Sequence, residues 1–226
     1  MSADLSQWQA RPFPPHEALA GRFVRLEPLD AARHGDDLGQ ALQGPDPDLW
    51  DYLPYGPFAE RAAFDAWLAG HAASRDPQFY TVIDQCSQRA LGLLAYLRIT
   101  PKDGCIEIGH IAFGAALQRT PGASEAVFLL TRQAFDGLGY RRLEWKCNGR
   151  NARSRRAAER FGFVYEGLFR QHMIVKGENR DTAWYSLIDG EWPACRTALE
   201  HWLAADNFDA AGKQIQRLAA LRGSAD

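Results

Sequence analysis

The sequence predicts an α/β (α+β) domain: a mixed, twisted central sheet of about seven strands flanked by helices, followed by a helical C-terminal extension. Three observations carry this. Three strand-like segments succeed one another between Gln78 and Phe113 with only short polar turns between them. From Cys105 to Phe163 strands then alternate with helices, an order that lays helices on the face of a sheet. The helices also carry their own punctuation, with capping residues at their starts and glycines at their ends. At 226 residues, 46% apolar and 12% aromatic, the chain can bury one full core. It divides into an arm over 1–21, a folded domain over 22–192 and an extension over 193–226.

Residues 1–21 are polar and proline-rich and read as an arm. Phe23 to Leu29 alternates as a first strand, and Asp30 caps a helix reaching about Leu42, broken by the GPDPD segment. After the aromatic stretch LWDYLPYGPF, a second helix around Glu60 to Ala69 puts Phe64, Trp67 and Leu68 on one face. Gln78 to Asp84 and Ala90 to Thr100 form a hairpin, and the PKDG turn returns the chain into a third strand, Cys105 to Phe113. The next helix starts within TPGASEA, with either Thr120 followed by Pro121 or Ser124 as its cap. Val127, Leu130, Ala134 and Leu138 are its buried stripe, and Gly137 and Gly139 end it. Arg141 to Cys147 is a strand; Asn151 caps a helix whose Ala157, Ala158 and Phe161 face inward and which Gly162 stops. Phe163 to Phe169, extended by Gln171 to Val175, and Trp184 to Ile188 complete the sheet. ALEHWLAAD and QIQRLAALR predict two C-terminal helices.

Composition excludes several classes. A formal net charge of -2 argues against nucleic acid as the main partner. No apolar run approaches the roughly 20 residues that span a bilayer, so no membrane partner is expected. Cys86, Cys105, Cys147 and Cys195 are scattered with no C-x-x-C pair, which fits reduced thiols in a cytoplasm and no metal site.

The chemistry concentrates between Glu107 and Phe163. Main-chain N–H groups of Arg119 to Ser124 point outward at a helix start, where their partial positive charge attracts phosphate. Gly122, Ala123 and Ser124 are small enough for a pyrophosphate to approach. From Arg141 to Arg160 eight basic residues stand against Glu144 and Glu159, a local surface that favours a polyanionic cofactor.

These segments, EIGHIAF, QRTPGASEA and N-x-x-S followed by ERFGF, resemble the GNAT superfamily of acyl-CoA-dependent N-acetyltransferases, in particular its RimJ/RimL-like branch acting on ribosomal proteins. The resemblance covers about Gly21 to Trp192. The family's pyrophosphate signature, Q/R-x-x-G-x-G/A, stands here as Arg119-Thr-Pro-Gly122-Ala-Ser124, with serine at its last position. The resemblance implies that acetyl-CoA is bound by a bulged strand at Ile111, Ala112 and Phe113, by Gln118, Arg119, Thr120, Gly122, Ala123 and Ser124 in the loop, and by Asn151 and Arg155 on the second helix. Asn151 reads equally as a helix cap alone.

The implied reaction is transfer of an acetyl group to a primary amine by direct attack. An amine protonated at neutral pH cannot attack, so a base must take its proton, directly or through water. Glu107, a carboxylate in an apolar strand, is the first candidate; a structural salt bridge to an arginine is the competing reading. His110 is an alternative base or a water relay, and His172 and Asp181 are further candidates. Many family members protonate the departing thiolate with a tyrosine where this chain has Ala158. Ser154 stands where the RimJ/RimL-like branch has a serine proposed for that task. A thiol with a pKa of about 8.5 also leaves adequately unaided. An acyl-enzyme on Cys147 lacks an adjoining histidine.

The acceptor stays open among peptide or protein N-termini, amino acids, polyamines and aminoglycosides. Trp50, Tyr52, Tyr55 and Phe58 lie where the family places its acceptor groove, as a wall or as packing. A GNAT-fold protein that binds acyl-CoA as a sensor or scaffold without turnover is the alternative function, and the two C-terminal helices could pack against a second subunit as a homodimer.

Overall fold

The computed structural model describes residues 4–44, 46 and 48–222. The first three residues of the arm, Pro45 and Pro47 of the GPDPD break, and the last four residues of the extension lie outside the described residues. In chain order the elements are β1 (Leu19–Ala20), β2 (Val24–Pro28), α1 (Ala31–Leu42), α2 (Arg61–Ala72), β3 (Gln78–Asp84), β4 (Ala90–Thr100), β5 (Cys105–Phe113), α3 (Pro121–Arg132), β6 (Arg142–Asn148), α4 (Ala152–Phe161), β7 (Val164–Val175), β8 (Glu178–Ile188), α5 (Trp192–Leu203) and α6 (Leu218–Leu221). The strands form one eight-stranded sheet in the order β1-β2-β3-β4-β5-β6-β8-β7. β5 and β6 are parallel, and every other neighbouring pair is antiparallel.

Period-two alternation assigns the faces. On β4, Leu93 and Ala95 join Leu38, Leu42, Phe64 and Leu68 of α1 and α2, whereas Leu94 and Tyr96 join Leu129, Phe161 and Trp202 of α3, α4 and α5. Asp30 caps α1 by accepting from the N–H groups of Ala32 and Arg33. α2 has no side-chain cap and is anchored by Phe64 and Leu68, both fully buried, each contributing about 2 kcal/mol of burial. Trp67 packs on the same face against Tyr55 and His71.

Four outcomes differ from the sequence reading. The arm ends in β1, giving eight strands rather than about seven, because Leu19 and Ala20 pair with Leu26 and Arg25. Upstream of it, the carbonyls of Pro12, Pro14 and Pro15 accept hydrogen bonds from Tyr140, Gln78 and Tyr80, so a proline-rich segment that cannot form a ladder straps the sheet through side chains. Trp8 closes this strap over Gly104, where a Cβ would meet the indole at 2.5 Å and where φ is +61°.

β8 begins six residues before the expected Trp184, at Glu178. Lys176 and Gly177 both take positive φ, the signature of a two-residue hairpin turn, and the polar run Glu178 to Asp181 hides the strand from an apolar pattern. α3 passes into a π-helical turn, Gln133–Gly137, before ending. The second C-terminal helix is a single turn, because buried Asn207 donates to the Gln216 carbonyl and accepts from its N–H, holding that segment out of a helix. α5 buries Cys195, Ala198, Leu199 and Trp202 within the core it shares with α3, while Thr197, Glu200 and His201 stay exposed.

Candidate active site

The parallel pairing of β5 and β6 is short: Cys105, Ile106 and Glu107 face Arg142, Leu143 and Glu144, and pairing ends there. Beyond Glu107, β5 continues against β4 alone and β6 against β8 alone, so the sheet splays open. Main-chain groups of β5 on that side are left without a strand partner. In the same stretch Leu93 pairs with Ala112 and Ala95 with Gly109, so Leu94 faces both His110 and Ile111, a bulge in which His110 has φ +51°. Ile111 lies in this bulge, and Ala112 and Phe113 follow it.

The loop after β5 leads to α3. Thr120 is the cap: its Oγ1 accepts from the Ala123 N–H at 3.2 Å, and Pro121 opens the helix. Of the two capping readings, the structure selects Thr120; Ser124 lies inside the helix and is buried. Gly122 is buried as well, and a Cβ on it would meet Val24 Cγ1 at 2.8 Å, so its smallness serves the seating of α3 on β2. Gln118 donates its amide to the Phe113 carbonyl and to Asp46, both at 2.8 Å, and so latches the loop. Arg119 is exposed at the loop's corner with φ +60°. A cavity of about 460 Å³ opens beside this helix start, lined by Arg22, Phe23, Thr120, Pro121, Gly122 and Phe208.

α4 starts at the same end of the sheet. Asn151 Oδ1 accepts from the Ser154 N–H at 3.0 Å, so it caps the helix, and its Nδ2 has no partner among the described residues. Ser154 Oγ accepts from Trp145 Nε1 at 2.9 Å, which leaves the hydroxyl proton to be donated. Ala158, where a tyrosine acid would stand, is fully buried in the core. Arg155 turns away from the loop, donating to the Tyr185 hydroxyl and lining a second cleft of about 260 Å³ with Asn148, Tyr165 and Asp181. Arg160 instead reaches α3, donating to Ser124 Oγ at 3.0 Å while its guanidinium lies over Trp202.

The basic cluster is partly spent. Arg142, Lys146, Arg150 and Arg153 each have a carboxylate within 4.0 Å. Arg155 and Arg160, both on α4, have none among the described residues, and Arg160 is the one that meets the loop.

Glu107 and His110 sit on the opposite side of the splay, under the aromatic segment. Glu107 is 2% exposed. Both its oxygens accept from Arg98 Nη1 at 2.9 Å, and Lys146 Nζ stands 2.9 Å from Oε2. Lys146 also binds Glu144 at 2.6 Å and lies 3.9 Å from the centre of the Trp184 ring. Burial raises the Glu107 pKa above the ordinary carboxylate value, against the opposing pull of Lys146 and Arg98.

His110 stacks on Tyr55 at an interplanar angle of 11° and lies beside Phe79. Its Nδ1 is 2.9 Å from the Tyr55 hydroxyl. A buried hydroxyl with no other acceptor donates here, so Nδ1 accepts and the proton of His110 is on Nε2. Burial, then the nearby charges of His71, Arg98 and Arg180, push the His110 pKa down to about 4. A depressed histidine pKa means that the unfolded chain binds the extra proton first, so stability is present above pH 6.5 and falls as pH drops toward 4. Urea unfolding at pH 7 and pH 4.5 should show this loss smaller by about 2 kcal/mol in His110→Gln than in the parent. An equal loss in both proteins would refute the assignment.

The remaining sequence candidates lie in the β7–β8 hairpin. His172 bonds Thr182 at 3.0 Å, and Asp181 accepts from the Gln171 N–H and Asn179. The Cys147 thiol is buried, and burial raises its pKa. Sequence reasoning did not single out Arg98, Lys146, Arg160 or Arg180: Lys146 and Arg160 stood there only as members of the basic cluster, and Arg98 and Lys146 meet Glu107 across strands.

The whole chain bears comparison with known proteins. Residues 24–164 match the family model described as Acetyltransferase (GNAT) domain. A GCN5-related N-acetyltransferase from Brucella melitensis superposes with a TM-score of 0.93 at 50% identity, covering 96% of this chain and 99% of that one. A GNAT-family acetyltransferase from Chromobacterium violaceum superposes at 0.79 with 48% identity over 85% of this chain and 96% of that one. At the level of fold alone, the RimL ribosomal L7/L12 alpha-N-protein acetyltransferase superposes at 0.66 with 22% identity, covering 76% of this chain and 94% of that one. A search of curated proteins returned no match. The splayed β5 and β6, the proline-started α3 at their mouth and the matching domain model agree: this chain is a member of the GNAT acetyltransferase family.

Proposed function

We propose that the protein moves an acetyl group from acetyl-CoA to a primary amine, with Glu107 drawing off the amine's proton and Ser154 protonating the departing sulfur. The observation that supports it best is the ending of the β5–β6 pairing at Glu107, with the α3 start at one side of the opening and a buried carboxylate at the other. Acetyl-CoA supplies the acyl thioester when bound. The chain's residues fit it: unpaired β5 backbone beyond Glu107, a twelve-residue helix whose start holds partial positive charge, and Arg160 without a carboxylate partner among the described residues. Loop residues Arg119, Thr120 and Ala123 would hold phosphate, and Ile111 to Phe113 and the Asn151 amide the pantetheine arm.

Within this reading Glu107 is preferred to His110 on basicity. A histidine with a pKa of about 4 takes protons poorly, whereas burial raises Glu107. Since Glu107 is 2% exposed, the amine's proton reaches it through a bridging water. The double ion pair of Glu107 supports a second reading, in which it only clamps β4, β5 and β6 together. The RimJ/RimL-like assignment, a cytoplasmic location and a homodimer belong to the same proposal. The surface for a second copy is edge strand β7, where Val164, Tyr165, Leu168, Phe169 and Ile174 are exposed, rather than α5.

The test is release of free CoA thiol from acetyl-CoA against a panel of peptides, amino acids, polyamines and aminoglycosides. Turnover of one class supports the proposal. If every amine fails while CoA raises the melting temperature, the protein binds acyl-CoA as a sensor.

A further inference from the structure

The walls around Glu107 hold more donors than acceptors. Arg98, Lys146 and Arg180 bring three cations to the same face as Glu107 and Glu144. Lys146 and Arg98 are paired with those carboxylates, but Arg180 has no carboxylate within 4.0 Å among the described residues. Its Nε is buried without a hydrogen-bond partner among the described residues. Arg180 shares a face of β8 with Trp184, four positions on, whose ring carries the Lys146 ammonium. The Trp184 Nε1 is likewise buried without a partner, and so is Trp67 Nε1 across the groove beside Tyr55 and His71. The charges of Arg98 and Arg180 both bear on His110, and that of Arg180 on Glu107 as well.

Three buried, unpaired N–H donors, one of them on an uncompensated guanidinium, are costly unless a ligand supplies acceptors. The enclosure bears on its size. Lys176, at the turn of the β7–β8 hairpin, donates to the Trp50 carbonyl at 2.7 Å, and Arg153 of α4 meets Asp48 at 3.3 Å. The hairpin and the first turn of α4 thereby tie down the 48–52 segment over the groove.

We propose that the acceptor is a small amine carrying a carboxylate, such as an α-amino acid, whose carboxylate is bound by Arg180 while its nitrogen faces the Glu107 side. This rests on the acyl-transfer reading above and names its substrate class. The arrangement serves the chemistry twice. A bidentate guanidinium fixes the acceptor's orientation. The surrounding cations also favour the neutral amine, which is the form that attacks. Polyamines and aminoglycosides, with several ammonium groups and no anion, meet like charge at Arg180 and leave it without a counter-ion.

The experiment uses matched triplets: an α-amino acid, its amide and its decarboxylated amine, together with short peptides beginning in acidic or neutral residues. Turnover is followed by thiol release, and binding separately by the melting temperature of the protein with saturating CoA. The carboxylate member is expected to have a kcat/KM at least about 30-fold above its amide and decarboxylated partners, mostly through KM, and to raise the melting temperature more than they do. Arg180→Gln should bring those ratios toward one, and Arg180→Lys should restore part of the preference.

Equal use of all three members, a preference for polyamines or for peptides regardless of charge, or an unchanged ratio in Arg180→Gln would overturn the proposal. The melting arm separates the two claims. A carboxylate-dependent shift lost in Arg180→Gln, with no turnover of any amine, sustains the anion site and defeats the transferase reading. Brisk turnover without carboxylate preference does the reverse.

Discussion

Glu107→Gln is expected to lower kcat by about 10²- to 10³-fold, the range that a positioned base contributes, with the affinity for acetyl-CoA nearly unchanged. Glutamine keeps the size of the side chain and removes its capacity to accept a proton. Its neighbours limit the collateral damage: Lys146 retains Glu144 at 2.6 Å, and the Arg98 side chain is half exposed and can rehydrate. The parent should show an acid limb in kcat/KM against pH above the ordinary carboxylate range, because burial raises the Glu107 pKa. Activity then falls as pH drops through that limb, since protonated Glu107 cannot act as a base. In Glu107→Gln the residual rate should lack the limb. A variant with near-parental kcat and lowered thermal stability would assign Glu107 to the ion pair alone.

The β5–loop–α3 unit was legible because its signals are local. A proline after a threonine cap, small residues in the first turn and an apolar strand before it are all written within twenty residues; the structure keeps the strand and the helix start, selects Thr120 of the two caps, and buries Gly122 and Ser124. The environment of Glu107 was not legible for a matching reason. Lys146 reaches it through three parallel pairs, and Arg98 through a β4 register that slips between Leu97 and Thr100. A one-residue bulge changes which side chains share a face, and no spacing rule reports it. Arg180 was hidden by its setting, a polar run with no apolar alternation that proved to be the first half of β8. Gly122 shows the converse, since a residue type that fits phosphate approach is also explained by a contact with Val24. Local composition marks where a ligand can bind; cross-strand register decides what charge the ligand meets.

The largest loss of stability should come from Glu125→Ala, a residue outside the reacting groups. Glu125 lies in α3, is 5% exposed, and accepts three main-chain hydrogen bonds, from Arg22 at 2.8 Å, Phe23 at 2.6 Å and Val24 at 2.8 Å. These N–H groups belong to the turn that delivers the chain into β2. The turn approaches so closely that a Cβ at Gly21 would sit 2.5 Å from the Glu125 carboxyl carbon. Each buried donor left without an acceptor costs about 1–3 kcal/mol, and water entering the vacated space recovers part of this. Alanine should therefore cost about 4 kcal/mol, a large share of the 5–15 kcal/mol typical of a domain. The urea midpoint should fall with little change in slope, and Glu125→Gln, which keeps one acceptor, should lie between. A loss below about 1 kcal/mol would mean that the turn finds other partners. The same contact carries a functional consequence, because Glu125 follows directly on the first turn of α3. Releasing the β2 turn loosens the seating of Gly122 on Val24 and with it the helix start that faces phosphate. Weaker CoA binding should accompany the lost stability, even at temperatures where the variant is fully folded.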